Sequence, residues 1–158
     1  MTTPSEEWID PIFDAVVSDA QASGYFDKVN THELIKRKPG TRLTAAVWVQ
    51  SIKPIPLMSG LASTSAQIVF MLRMYSNLMQ EPQDMIDPNM LKATSNLMRR
   101  YHDDFDFGGA IRNVDLLGEF DEELSARAGY LEAVDGSHFR VMDLTIPCLV
   151  NDVWPQVR

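Results

Sequence analysis

Apolar positions along this chain switch between a helical and an alternating period, and the switches outline its elements. Ile12, Phe13, Val16, Val17 and Ala20 recur at helical spacing. Asp10-Pro11 stands before them, a capping residue followed by one suited to the first turn, and Gly24 stands where the helix should stop. Trp8 and Ile9 are placed to staple onto the first turns. Asp14 and Asp19 fall outside the stripe. Residues 25–33 then read as a short strand and 34–42 as a loop turning at Pro39-Gly40.

Two stronger strands follow. LTAAVWVQSI (43–52) is one, and AQIVFMLRMY (66–75) is apolar on nearly both faces. Such a strand needs cover on two sides, from its own core and from something else. The connector between them, 53–65, is longer than an ordinary hairpin loop and carries Ile55, Leu57, Met58 and Leu61. It reads equally as a contact surface or as a loop folded over its own core.

Asp87-Pro88 repeats the capping signal. Met90, Leu91, Thr94, Leu97, Met98 and Tyr101 then form a helical stripe to about residue 103, with Lys92, Asn96 and Arg99 opposite. After Gly108-Gly109, residues 110–117 read as a strand, 118–124 as an acidic loop and 125–134 as a further strand. Asp135-Gly136 is a hairpin signal, and 137–150 is the return strand. In it, Phe139 and Val141 face one way and Met142, Leu144, Ile146 and Cys148 the other. Pro147 donates no hydrogen bond, which predicts an edge strand or a bulge there. Helix, three strands, helix, three strands predicts an α+β fold: a mainly antiparallel sheet of five to six strands with two main helices packed on it.

Length agrees with one domain spanning 1–158, with residues 1–9 expected as a loosely ordered arm. Net charge is −8, which disfavours nucleic-acid binding because such affinity comes largely from Lys and Arg on phosphates. DNA near this surface would slide rather than stick. The acidic N-terminus lacks the apolar core of a signal peptide, and no run approaches the ~18 apolar residues of a membrane span. The expectation is a soluble protein made in a cytoplasm, with no membrane partner.

The chemistry-bearing residues form no familiar centre. His32, His102 and His138 make no metal-binding spacing. Asp103, Asp104 and Asp106 could start a calcium loop. Counted from Asp103, Gly108 fits the sixth position, but Val114 stands where the closing Glu is required, so a solvated acidic turn is expected. The single cysteine, Cys148, lies in an apolar run and reads as a core residue. No nucleotide-binding or nucleophile-elbow motif occurs, so no catalytic residue, metal or cofactor is expected. The sharpest charge feature is the basic run Lys36, Arg37, Lys38 and Arg42. It reads equally as an ordinary solvated loop or as a patch for basic-to-acidic contacts between identical copies, which close into a ring where the rotation permits.

Four segments in order carry a resemblance: LTAAVWVQSIKPIP (43–56), SGLASTSAQIVFMLRMYSNLMQEPQDMIDP (59–88), GGAIRNVDLLGEF (108–120) and AGYLEAVDGSHFRVMDLTIPCLVNDVW (128–154). Together they resemble the tail terminator proteins of long-tailed phages of actinobacteria, over about residues 10–154. The element order is also similar: helix, hairpin with a long loop, helix, closing strands. The resemblance implies a structural virion protein of the tail and neck, assembled in the host cytoplasm. It implies a homo-hexameric ring that caps the head-proximal end of the tail tube, stops tube polymerisation and docks on the head-tail connector or head-closure protein. DNA would pass through the lumen without specific binding. It carries over no catalytic residues. Candidate subunit or tube contacts are Lys36, Arg37, Lys38, Arg42, Ile55, Leu57, Met58 and Leu61. The rival readings are another neck protein, a small acidic binding module and an enzyme without a motif.

Overall fold

The structure, a computed structural model, describes residues 8–31, 43–56, 62–76, 88–132 and 138–155. Helix α1 spans Ile9–Ala22. Asp10 does not cap it, because the helix begins two residues earlier than expected, after Trp8, with no side-chain cap. Asp10 instead lies in the first turn, where its charge suits the positive end of the helix. Pro11 costs nothing there, since first-turn N–H groups have no helical partner. The stop is at the expected place. Ser23 donates its hydroxyl to the Ala20 carbonyl at 2.6 Å, and Gly24 turns away at φ +81°, a conformation that favours glycine.

The strands are β1 (Phe26–Asn30), β2 (Leu43–Ile55), β3 (Ser63–Tyr75), β4 (Asn113–Val114), β5 (Ser125–Glu132) and β6 (His138–Pro155), and helix α2 spans Pro88–Asp103. They form one six-stranded sheet in the order β1-β2-β3-β6-β4, with β5 also on β6. The fold is α+β, as expected. All pairs are antiparallel except β1 with β2, so the sheet is mixed. Parallel neighbours need a crossover of about a dozen residues, and this one contains the basic run.

Alternation along the strands sorts the core. Leu43, Ala45 and Val47 on β2, Ile68, Phe70, Leu72 and Met74 on β3, and Met142, Leu144, Ile146 and Cys148 on β6 join one buried cluster. Both helices close that face. Ile12, Val16, Val17 and Ala20 come from α1, and Met90, Ala93, Leu97 and Tyr101 from α2. Phe13 meets Phe70 at 5.9 Å between ring centroids, and Trp8 meets Trp154 edge-on at the same distance. Each fully buried Leu, Ile or Phe contributes about 1.5–3 kcal/mol relative to exposure. The α2 stripe is shifted from expectation: Ala93 is buried, and Leu91 points outward.

Asp19, outside the apolar stripe, clamps the helices together. Its Oδ1 accepts from Arg100 Nε at 3.1 Å and Nη2 at 2.9 Å. Beside it the Tyr101 hydroxyl is fully buried, with no hydrogen-bond partner among the described residues. Burial pushes its pKa up, and the Asp19 charge adds to this.

Three expectations fail on local pairing. β2 and β3 run further than read, so Lys53, Pro54 and Ile55 belong to a strand and not to the connector. Residues 110–117 form only the two-residue β4, because Asp115 leaves the sheet to build a turn. β6 is not an edge strand, although it holds Pro147. The Pro147 carbonyl accepts from Asp115 N at 2.8 Å. In an antiparallel pleat a residue's N and O face the same neighbour, so the missing N–H faces the side where β5 gives way to β4. The ladder with β3 loses nothing. β6 does bulge, but beyond the proline, opposite Thr64–Ala66, where Asp152 sits at φ +55°. The hairpin turn at 135–136 and the arm before residue 8 lie outside the described residues, while β5 and β6 pair antiparallel on either side of that turn.

Replacing Tyr101 with Phe removes a buried hydroxyl that has no partner, at nearly constant shape. Its urea midpoint should stay level or rise, by up to about 1 kcal/mol of stability, with an unchanged m-value. A loss of 2 kcal/mol or more would show that the hydroxyl is bonded.

Candidate functional site

The second face of the sheet carries the remaining features. Thr44, Ala46 and Trp48 on β2, Gln67, Val69, Met71, Arg73 and Tyr75 on β3, and Val141, Asp143 and Thr145 on β6 alternate with the core residues and so point to this side. Ala46, Tyr75 and Val141 form a small buried cluster, with Trp48 and Leu131 against it. Among the described residues no helix contributes to that cluster.

Arg73 and Asp143 are direct cross-strand partners at the middle of this face. Nε donates to Oδ1 at 2.7 Å and Nη2 to Oδ2 at 3.1 Å, a two-pronged pair. The Arg73 guanidinium also lies over the Trp48 ring, 5.4 Å from its centroid. Hydrogen bonding to Asp143 raises the Arg73 pKa, outweighing the burial that would lower it. Both side chains are partly solvated, so the pair is worth about 1 kcal/mol and fixes register more than stability.

One end of the face is crossed by the loop 115–124, built around a single carboxylate. Asp115 is 3% exposed. Its Oδ1 accepts from Gly118 N at 3.1 Å and Glu119 N at 2.9 Å, and its Oδ2 from Phe120 N at 2.9 Å. The Asp115 carbonyl accepts from Leu124 N at 3.1 Å, closing the loop. Gly118 is required where it stands: φ is +80°, and a Cβ there would lie 3.1 Å from that of Glu123. Two sheet residues tie the loop down. Gln67 Nε2 donates to the Phe120 carbonyl at 2.9 Å, and Lys53 Nζ pairs with Asp121 Oδ2 at 2.8 Å. Lys53, Gln67, Leu149 and Asn113 are successive partners across four strands, so the loop lies over one row of the sheet. Here the chain itself supplies part of the second cover that β3 requires.

No protein-family model and no curated protein matches this chain. The site is therefore read from its own residues. Of the expected contact residues, Ile55 is described, and it is 4% exposed at the end of β2, which leaves almost none of its side chain for a partner. It is buried because the strand runs on to it, where the sequence reading placed a loop. Lys36, Arg37, Lys38, Arg42, Leu57, Met58 and Leu61 lie outside the described residues.

Cys148 is 0% exposed among core residues, as its apolar surroundings predict, and burial pushes its thiol pKa up. A thiol held protonated in the core has no nucleophilic role. In the acidic turn after α2, Asp104 Oδ1 accepts from Gly108 N at 3.0 Å. Among the described residues no group of three or more His, Cys, Asp and Glu could hold a metal ion, and no helix is long and apolar enough to cross a membrane. Sequence reasoning missed Asp115. The only signal was its place before Leu-Leu-Gly, where an Asp accepting from following N–H groups builds a turn.

Replacing Asp115 with Ala orphans three loop N–H groups and should cost about 2–3 kcal/mol in denaturant melts. Hydrogen exchange at 118–120 should accelerate in the same variant, and unchanged exchange there would refute the carboxylate's role. In the wild-type protein, Cys148 should react with an aromatic disulfide reagent only at the rate of unfolding, whereas fast stoichiometric labelling in native buffer would contradict its burial.

Proposed function

We propose that this chain is a structural subunit of a phage tail, a terminator whose hexameric ring caps the head-proximal end of the tail tube. The observation that carries this reading is the element order: a helix, a long-stranded hairpin, a second helix and closing strands, all in one sheet. That order is the one implied by the four segments that resemble tail terminators. A sheet with helices on one face, and a half-covered second face holding Trp48, Met71, Arg73 and Asp143, suits a subunit that packs beside others.

The mechanism is steric. The ring presents to the tube a surface like that of another tube layer, and to the connector a different one, so no further layer can add. Nothing in this requires a cofactor or a catalytic group. A net charge of −8 keeps DNA moving through the lumen, because a negatively charged wall offers phosphates no counter-ion. The basic run at Lys36, Arg37, Lys38 and Arg42 supplies the opposite charge that like-charged copies need at their contacts.

Native mass spectrometry over a micromolar range, with and without tail tube protein, tests the reading. Hexamers that grow with concentration or on the tube are expected. The triple variant Lys36→Glu, Arg37→Glu, Lys38→Glu should lower the hexamer population at least about tenfold, like charges at a contact costing more than 1.4 kcal/mol. A monomer under every condition would overturn the ring, and rings that bind a connector but not the tube would indicate another neck protein.

A further inference from the structure

The most exposed large apolar side chain among the described residues is Leu117, at 90%. It sits on the loop built around the Asp115 carboxylate. Its neighbours on either side are held: Asp115 and Leu116 in or against the core, and Gly118, Glu119 and Phe120 by the Asp115 carboxylate. Lys53 and Gln67 fix the far side of the loop to the sheet. A leucine displayed on a rigid support loses little freedom when a partner covers it, which is the usual character of an interface anchor.

Charge indicates what covers it. Exposed Glu119, Asp121, Glu122 and Glu123 follow the leucine within six residues. The chain's own counterpart is the basic run, which holds four of its 14 Lys and Arg residues in seven positions. We propose that Leu117 and its acidic loop dock on the Lys36–Arg42 stretch of a second copy of this chain, making the contact that repeats around the ring. Two different stretches of the chain meet in this contact, so it can repeat head-to-tail from copy to copy, and such contacts generate rings where the rotation closes. This inference rests on the ring reading and assigns it an interface.

Sedimentation velocity and native mass spectrometry on the full chain test it. Leu117→Asp alters an exposed side chain, so its thermal melt should match that of the wild type. Its midpoint concentration for assembly should rise at least about tenfold, the value of burying one leucine. Glu122→Lys with Glu123→Lys should weaken assembly similarly, and adding Lys36→Glu, Arg37→Glu and Lys38→Glu to that pair should recover it. If the wild type forms rings and Leu117→Asp forms them at the same concentration, the docking site is wrong while the ring stands. If every single-side variant weakens assembly but the combined variant does not recover it, the basic stretch is not the occupant. A wild type that stays monomeric even with tube protein overturns the ring and this contact together.

Discussion

The fold depends on the pairing of β3 with β6. Both strands have neighbours on each edge, so every backbone donor and acceptor in their centre must be met within the sheet. Both also carry apolar side chains on two faces, and a slip of one residue would exchange those faces entirely. The register is held by unlike devices. On one face the Phe70–Ile146 and Leu72–Leu144 rows carry the helices' core. On the other, Arg73 grips Asp143 with two hydrogen bonds. A slipped register would break that pair and turn the helix-facing residues toward water, so the two faces enforce one alignment.

Everything else closes the surfaces this pairing leaves open. Helices α1 and α2 cover the first face and are joined by Asp19 and Arg100. The second face receives a loop instead of a helix. A loop that lies against a sheet must satisfy its own backbone groups, and here one buried carboxylate takes three N–H groups at once. Fixing the loop in this way leaves Leu117 no inward course: Leu116 packs on the core, and its successor is turned to solvent.

Much of this was legible in the sequence, and the exceptions have physical causes. Both helices show in their apolar spacing, and Gly24 marks the first stop because only a glycine turns away so easily there. The two-faced burial of β3 shows in its uninterrupted apolar run. Pro54 hid the true end of β2, since proline usually breaks a strand, yet this one lies beyond the bulge at Gln50, past the residues that β1 pairs, in a stretch where Ser51, Ile52 and Pro54 are exposed. Pro147 misled in the same way: its missing donor falls in a gap between two short strands, a detail of pairing that no local pattern encodes. Asp19 showed only as an acid outside the apolar stripe because its partner, Arg100, is far away in sequence, and Asp115 lay inside a stretch that read as a strand. The site was less legible than the fold. Ile55 looked like part of an apolar loop and is core, whereas Leu117 sat in an apolar stretch that read as a strand and is the most exposed of the large apolar residues described.

Net charge alone would argue against any assembly of identical copies, but its reach is short. At physiological ionic strength charges are screened over about 8 Å, so a neighbouring copy responds to the patch it meets and not to the −8 of the whole chain. A basic stretch facing an acidic loop is then attractive even though the subunits repel at a distance, and the distribution of charge decides orientation. An apolar anchor inside a charged rim divides the work. The rim selects which surfaces meet and weakens as salt rises, while the leucine's contribution persists in salt because it comes from removing apolar surface from water. Contacts built in this way tolerate wide changes in ionic strength without losing their register.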